Sequence, residues 1–284
     1  MASTTPTTGA QRILIGAPAA VLRVTLSDQD GNPADAAGTV TVTVTRADGT
    51  VIVTGAATTN PTGVGTYTYT LSAAAVASYD VLTAVWSDTG VVRATSRHRI
   101  VGGFLFSRDQ LKAMTGVGTF SPEELDAARD HVTDQFERYL RQAIAPTYDI
   151  DAFTTLGALF HVLPHRPVRT LRSCTVNAQT VSTTSFVVNE LSGRIQGPWF
   201  YGSCTVGYEH GPDGPSRELR DAALQTARDV LLRERSGISS RARSQTNEMG
   251  ATTQFAFAGK DHPTGIDEVD ALLVSMRDKS AGFA

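Results

Sequence analysis

Thr39-Val40-Thr41-Val42-Thr43-Val44-Thr45-Arg46-Ala47-Asp48-Gly49-Thr50-Val51-Ile52-Val53 is the stretch on which the fold turns. Valine and threonine alternate from 39 to 45, the period of a strand with one buried and one wet face. Asp48-Gly49 then offers a tight hairpin turn, because glycine accepts positive φ without steric cost. Val51-Ile52-Val53 supplies the return strand. A helix would need apolar residues three and four apart, and this stretch has them two apart.

Working outward, the same signature recurs. Val21–Leu26 precedes the turn chemistry of Asp28-Gln29-Asp30-Gly31-Asn32-Pro33. Tyr67, Tyr69 and Leu71 alternate on a further strand after Gly63 and Gly65, and the runs Val81–Trp86 and Val91–Val101 follow. Short strands separated by turns at this spacing suggest a β-sandwich over residues 1–102. No cysteine pair pins its sheets, so its core must rest on valine, leucine, Tyr67 and Trp86.

Gly102-Gly103 marks the expected boundary of that region. Ser107-Arg108-Asp109-Gln110 reads as the capping box of a short helix. Ser121-Pro122-Glu123-Glu124 is a stronger start: serine caps, proline suits the first helical position, and acidic residues suit the positive helix end. Leu125, Ala128, Val132, Phe136 and Leu140 then recur at helical spacing, so a helix is expected over 121–144 with Pro146 ending it. Residues 159–208 return to short strands. Gly211-Pro212-Asp213-Gly214-Pro215 turns into another helix over 215–236, striped by Leu219, Ala223, Thr226, Val230 and Leu231. Residues 103–238 thus form an expected α+β, mainly helical second domain. Residues 239–284 read as a polar extended arm ending in an amphipathic helix, with Ile266, Val269, Leu272, Leu273 and Met276 on its stripe.

Composition narrows the function. The chain has 284 residues, 41% hydrophobic and 19% charged, enough to bury real cores. Its net charge of −3 lacks the basic excess that tight phosphate binding requires. No apolar run is long enough to span a bilayer. Residues 1–9 lack the basic stretch and apolar core of a secretory signal, so residence in the cytoplasm is expected. Cys174 and Cys204 are too few for a disulfide framework or a zinc site and read as buried, reduced, small apolar residues, with a single bridge between them as the alternative.

Catalytic patterns are missing. His161 and His165 have the helical spacing of a metal pair, but Pro164 and Pro167 argue for extended chain. His98, between Arg97 and Arg99, reads as structural. The carboxylates Glu123, Glu124, Asp126, Asp130, Asp134 and Glu137 lie along one helix instead of facing each other across a substrate. Gly63-Val64-Gly65 and Gly116-Val117-Gly118 do not continue as phosphate or dinucleotide loops. There is no Gly-x-Ser-x-Gly elbow and no His-Glu-x-x-His helix. The expectation is a non-enzymatic protein without cofactor or metal.

From Phe106 onward the order of elements resembles the head–tail connector (adaptor) proteins of long-tailed bacteriophages. The resemblance lies in the short capped helix, the acidic helix 121–144, Arg166-Pro167-Val168, Gly193-Arg194-Ile195 with Trp199, and Val206-Gly207-Tyr208 with Gly211 and Pro215. It continues through Arg220, Ala222, Ala223, Ala227 and Leu231-Leu232-Arg233-Glu234-Arg235. It covers about two thirds of the chain and rests on the succession of elements. Residues 1–102 resemble the immunoglobulin-like modules that decorate phage particles.

The resemblance implies a dodecameric ring in the virion neck, at the head–tail junction, assembled in the host cytoplasm. Its partners would be the portal protein, a stopper or tail-completion protein, and further copies of itself. Double-stranded DNA would pass through the lumen without sequence-specific binding. It carries over no catalytic residues. On this reading Asp130, Asp134 and Glu137 of one helix and Arg228 and Arg235 of the other are candidates for a head-to-tail subunit interface. Phe255 and Phe257, with the stripe Ile266, Val269, Leu272, Leu273 and Met276, are candidates for docking on the portal. The rival reading is a cell-surface adhesion or carbohydrate-binding protein led by the immunoglobulin-like module. The missing signal and the arginine-rich helical end of the chain speak against it.

Overall fold

The computed structural model describes residues 11–28, 30–60, 64–235, 244–246, 252–254 and 264–281. They cluster into two compact units that interleave along the chain. One contains residues 1–103 and 145–213, the other residues 104–144 and 214–284.

The first unit is built of strands. Its N-terminal part comprises β1 (Gln11–Leu14), β2 (Ala20–Thr25), β3 (Val40–Thr45), β4 (Val51–Ala57), β5 (Thr66–Leu71), β6 (Asp80–Asp88) and β7 (Val91–Val101). Five of them form a sheet in the order β1-β7-β6-β3-β4, and β2 pairs with β5 in a second, small sheet. The valine–threonine alternation behaves as its period demands: Val40, Val42 and Val44 are buried while the threonines between them are half exposed. The turn forms at Gly49, with φ of 89°. There Thr50 N–H donates to Asp48 Oδ1 at 2.8 Å. Leu22, Val42, Val44, Leu82, Trp86 and Ile100 make the core between the two sheets.

The rest of this unit is a single curled sheet. It comprises β8 (Thr147–Val162), β9 (Val168–Val176), β10 (Gln179–Thr180), β11 (Val187–Asn189) and β12 (Arg194–His210). β12 is the spine: β8 pairs with it on one side, and β9 and β11 share the other. Register shifts interrupt the β8–β12 ladder between Gln196 and Phe200 and again between Phe200 and Gly202. Extra residues on one strand bend it and increase its twist, which accounts for the curl. The concave core holds Leu163, Val168, Cys174, Ile195, Phe200, Cys204, Val206 and Tyr208. Both cysteines are buried and unbridged.

The second unit is helical. α1 (Arg108–Lys112) and α2 (Pro122–Leu140) come from before the curled sheet, and α3 (Arg217–Arg235) and α4 (Asp267–Ala281) from after it; two short strands, β13 (Ser244–Thr246) and β14 (Thr252–Gln254), pair between the last two helices. Both serine capping boxes form, at Ser107 with Gln110 and at Ser121 with Glu124. α2 stops short of Pro146 because Arg141 takes the left-handed conformation, φ 55°. Leu111, Leu125, Val132, Phe136, Ala223, Ala227, Leu231, Val269 and Leu273 close one core.

The fold class expected from the sequence needs correction. The protein is mainly β, with 42% strand and 26% helix, and consists of a mixed sheet, a small sheet and a curled half-barrel sheet. It is not an immunoglobulin-like sandwich followed by a mainly helical domain. Two causes are visible. β1 joins β7 in parallel, which makes the N-terminal sheet mixed. β8 and β12 run 16 and 17 residues where only short strands were expected, so the second half of the chain gains a large sheet.

Candidate assembly surfaces

The charged residues expected at a subunit interface have partners inside the helical unit. Arg228 Nε donates to the Thr115 carbonyl at 2.9 Å. Arg235 donates to Thr119 Oγ1 at 2.7 Å and lies 3.7 Å over the Phe120 ring. Its guanidinium is also 3.7 Å from Glu124. Glu124 is held below its ordinary carboxylate pKa first by the Ser121 backbone N–H and then by the Ser121 side chain.

On α2, Asp130 Oδ1 lies 3.7 Å from Arg129 Nε. Arg129 itself is buried, stacked 3.7 Å over the Phe104 ring. Glu137 Oε1 accepts from the Ile144 N–H at 3.3 Å. Asp134 is half-buried. These contacts cap and brace the helices of their own unit.

The apolar stripe of the last helix faces inward. Val269 and Leu273 belong to the helical core, and Ile266, Leu272 and Met276 pack against it. The N-terminal end of α4 is secured by buried Asp270, whose carboxylate accepts from Thr264 N–H at 2.8 Å, Thr264 Oγ at 2.7 Å and Gly265 N–H at 3.1 Å. Phe255 and Phe257 lie outside the described residues.

The surface without such internal cover is on the curled sheet. Among the described residues β8 has a ladder only with β12; its first residues pack against β6 and β7, and from Ala152 on its other edge has no strand partner. From Ala152 to Val162 this edge strand reads Ala-Phe-Thr-Thr-Leu-Gly-Ala-Leu-Phe-His-Val, with no lysine, acidic residue or proline. Leu156 is 95% exposed, and Leu159, Phe160 and Val162 are each about half exposed. On the far side of the sheet at the same end, Val187 and Leu191 are 73% and 75% exposed. Sequence reasoning began this strand region at Leu159 and so missed the first twelve of the 16 residues of β8. The usable signal was Tyr148-Asp149-Ile150-Asp151-Ala152, in which apolar residues alternate with two aspartates.

Those aspartates are where ionisable groups gather. Asp149 Oδ2 is 3.2 Å from His210 Nε2, 3.4 Å from Arg99 Nη2 and 3.9 Å from His165 Nε2. Burial opposes ionisation of Asp149, but the hydrogen bond with His210 and the Arg99 guanidinium outweigh it and hold the carboxyl below its usual value. Burial, then the neighbouring His210, pushes His165 down. Asp151 pairs with His161 at 2.8 Å, and His161 stacks on Phe153. Arg99 belongs to β7 and Asp149 to β8, so this cluster ties the N-terminal sheet to the curled one. Arg172 Nη1 adds a second tie, donating to the Tyr79 carbonyl at 2.7 Å.

His210 is 1% exposed and is stacked on His165. Among the described residues no group of three histidines, cysteines or carboxylates is arranged to hold a metal. No helix among them is long and apolar enough to cross a membrane. No protein-family model matches the chain, and no curated protein matches it.

Proposed function

We propose that this protein is a structural component of a phage neck, a ring-forming adaptor between the portal of the capsid and the tail, with DNA passing through its lumen. The observation that carries the reading is the arrangement of the helical unit. A short capped helix and a long acidic helix are followed by β8, then by β9 opening at Arg166-Pro167-Val168, and Gly193 turns at φ 68° into Arg194-Ile195. The chain then leaves Tyr208 through Gly211 into α3 and returns to complete the same helical core with α4. That succession is the one on which the resemblance to connector proteins rests.

Two further features support an assembly role. From Ala152 to Val162 the edge strand β8 carries no lysine or acidic residue, a ready template for pairing with another chain. Its net charge of −3 suits a channel that lets DNA slide instead of gripping it.

The test is direct. The purified full-length protein, concentrated and imaged by negative stain, should give rings with a central hole. Mixed with portal particles, those rings should cap the portal end. A protein that sediments as a monomer at every concentration and does not bind portal particles would sink the reading.

A further inference from the structure

We propose that the open edge of β8 is a docking site for a second copy of this chain, which adds its β11 edge in parallel, so that the curled half-sheets of neighbouring copies join into one continuous β-ring. This rests on the ring reading above and says where and how the copies meet.

The argument begins with the backbone. The outer edge of a strand presents N–H and C=O groups that want an extended partner. Natural edge strands are usually blunted by lysine, proline, an inward charge or a bulge. From Ala152 to Val162 β8 has no such lysine or proline, and its one ionisable side chain, His161, is turned onto Asp151 and Phe153. One register break puts extra residues on β12 between Gln196 and Phe200; the other puts one on β8 between Thr155 and Ala158, beside Gly157 at φ 125°, so the bulge of β8 lies before the Ala158–Val162 stretch. That stretch of the edge is therefore left fit for pairing.

The occupant follows from the other side of the same sheet. Phe160 pairs with Gln196, and Gln196 pairs with Val187. Val162 likewise pairs with Arg194, and Arg194 with Asn189. Residues directly opposite across strands project on the same face. Phe160 and Val162 on one edge thus stand level with Val187 on the other, on one face and all exposed. At the opposite end of the sheet the match fails, because β10 ends that side with the polar pair Gln179-Thr180. A strand from an unrelated protein would need only the β8 edge. Two apolar edges at one height, on opposite sides of one curled sheet, are what head-to-tail addition of identical copies uses.

The direction is fixed by symmetry. β8 and β11 both run antiparallel to β12, so they point the same way. Rotation about a ring axis preserves direction along that axis, so β11 of the next copy must lie parallel to β8. A two-fold dimer through β8 alone would instead be antiparallel and would stop at two copies.

Disulfide trapping in the full chain separates these cases. Val187→Cys is combined in turn with Ala158→Cys, Phe160→Cys and Val162→Cys, which covers a stagger of one two-residue step either way, as ring closure demands. Cα atoms of adjacent strands lie within disulfide range, and the native cysteines are buried. Mild oxidation of the assembled protein should give, for one of the three pairs, a covalent ladder that passes dimer and reaches trimer and beyond. The single Val187→Cys chain should give none. A ladder that stops at dimer overturns the proposal in favour of a two-fold contact. Rings seen by microscopy with no ladder from any pair overturn the edge pairing while leaving the ring intact. Neither rings nor ladder overturns both readings. As a second measure, Phe160→Lys with Val162→Lys, at positions already half exposed, should keep the native circular dichroism spectrum and convert rings to monomers. Rings that persist in that variant count against the proposal.

Discussion

The helical unit and the strand unit treat their apolar and ionisable residues in opposite ways. In the helical unit the expected apolar stripes turn inward, Val230 excepted, down to Val269 and Leu273 of the last helix, and its buried Asp270 serves as a cap. The strand unit leaves Leu156, Leu159, Phe160, Val187 and Leu191 in water while burying His98 and His210. The difference teaches that an amphipathic helix does not signal a docking surface by its stripe alone, since its own domain can cover it. An uncharged edge strand has no such cover, because its backbone groups point away from its own sheet. It also means that side-chain volume should govern the stability of one unit, and protonation that of the other.

The sharpest way to break the comparison is at Leu273. It is fully buried in the helical core, so Leu273→Ala removes apolar burial and leaves a cavity. The expected loss is about 2–5 kcal/mol, read from urea unfolding followed by circular dichroism at 222 nm, which reports the helices. A docking helix free of its own core would show a change within about 0.5 kcal/mol, and that outcome would return the stripe to the portal.

The strand unit should respond to acid. Burial pushes His98 down to about 4. Its Nε2 is 2.8 Å from Ser96 Oγ, which in turn accepts from Trp86 Nε1 at 3.0 Å. Because the folded-state pKa of His98 lies below its unfolded one, the unfolded chain binds the proton first as pH falls through 6.5 towards 4. Stability from this group is full above about 6.5 and is lost across that window. The loss by pH 4.5 should be roughly 2–3 kcal/mol, and His165, also pushed down by burial, adds to it. Asp149, whose pKa is lowered, keeps its contribution across that window and gives it up only at more acid pH. Both tryptophans, Trp86 and Trp199, belong to the strand unit, so their fluorescence reads it separately from the helices. In His98→Gln the slope between pH 7 and 4.5 should flatten. An unchanged slope would remove His98 as its cause.

Much of this was legible in residue order, and the failures have physical reasons. The hairpin at Asp48-Gly49 and the helix starts at Ser107 and Ser121 were readable because caps and turns are local chemistry. The stripe of the last helix was readable as a stripe, but what covers it depends on α2 and α3, more than a hundred residues away for α2. The long β8 strand was obscured because the aspartates 149 and 151 stand at its polar positions, and the partner of Asp149, His210, becomes visible only once β12 lies alongside, while the partner of Asp151, His161, lies near the other end of β8 itself. The parallel addition of β1 to β7 leaves no local mark at all. Of the candidate interface, the charged residues were legible by type, while the exposed edge from Ala152 to Val162 was not, since exposure is set by which strands find partners.

A smaller effect sharpens the helical side. Asp270→Ala removes the acceptor for Thr264 N–H, Thr264 Oγ and Gly265 N–H, all buried. Leaving buried donors unpaired costs about 1–3 kcal/mol, and the helical signal should fall earlier in urea while tryptophan fluorescence holds its midpoint. A shared shift in both probes would mean that the units unfold as one, and the contrast between them would have to be given up.

The smallest expected effect concerns Arg228 and Arg235, where the two uses of a surface charge compete. Reversing both to glutamate removes the Thr115 carbonyl bond of Arg228 and the Thr119 and Phe120 contacts of Arg235. Both arginines are partly in water, and a cation over an aromatic ring at such a site is worth about 0.5–1 kcal/mol. Reversal also places new negative charge near Glu124, which Arg235 now faces at 3.7 Å. If these arginines brace their own unit, the double variant should unfold slightly earlier by circular dichroism and still assemble to wild-type size in sedimentation. If they hold neighbouring copies together, the order of effects inverts: the unfolding midpoint stays put and the assembly falls apart. The intramolecular bonds favour the first outcome, because a guanidinium already fixed on a carbonyl and a ring has fewer donors left for a neighbour. Salt separates the two cases further. Pairing between exposed charges on different copies weakens as ionic strength rises, whereas assembly through the backbone groups and apolar side chains of the β8 edge should hold.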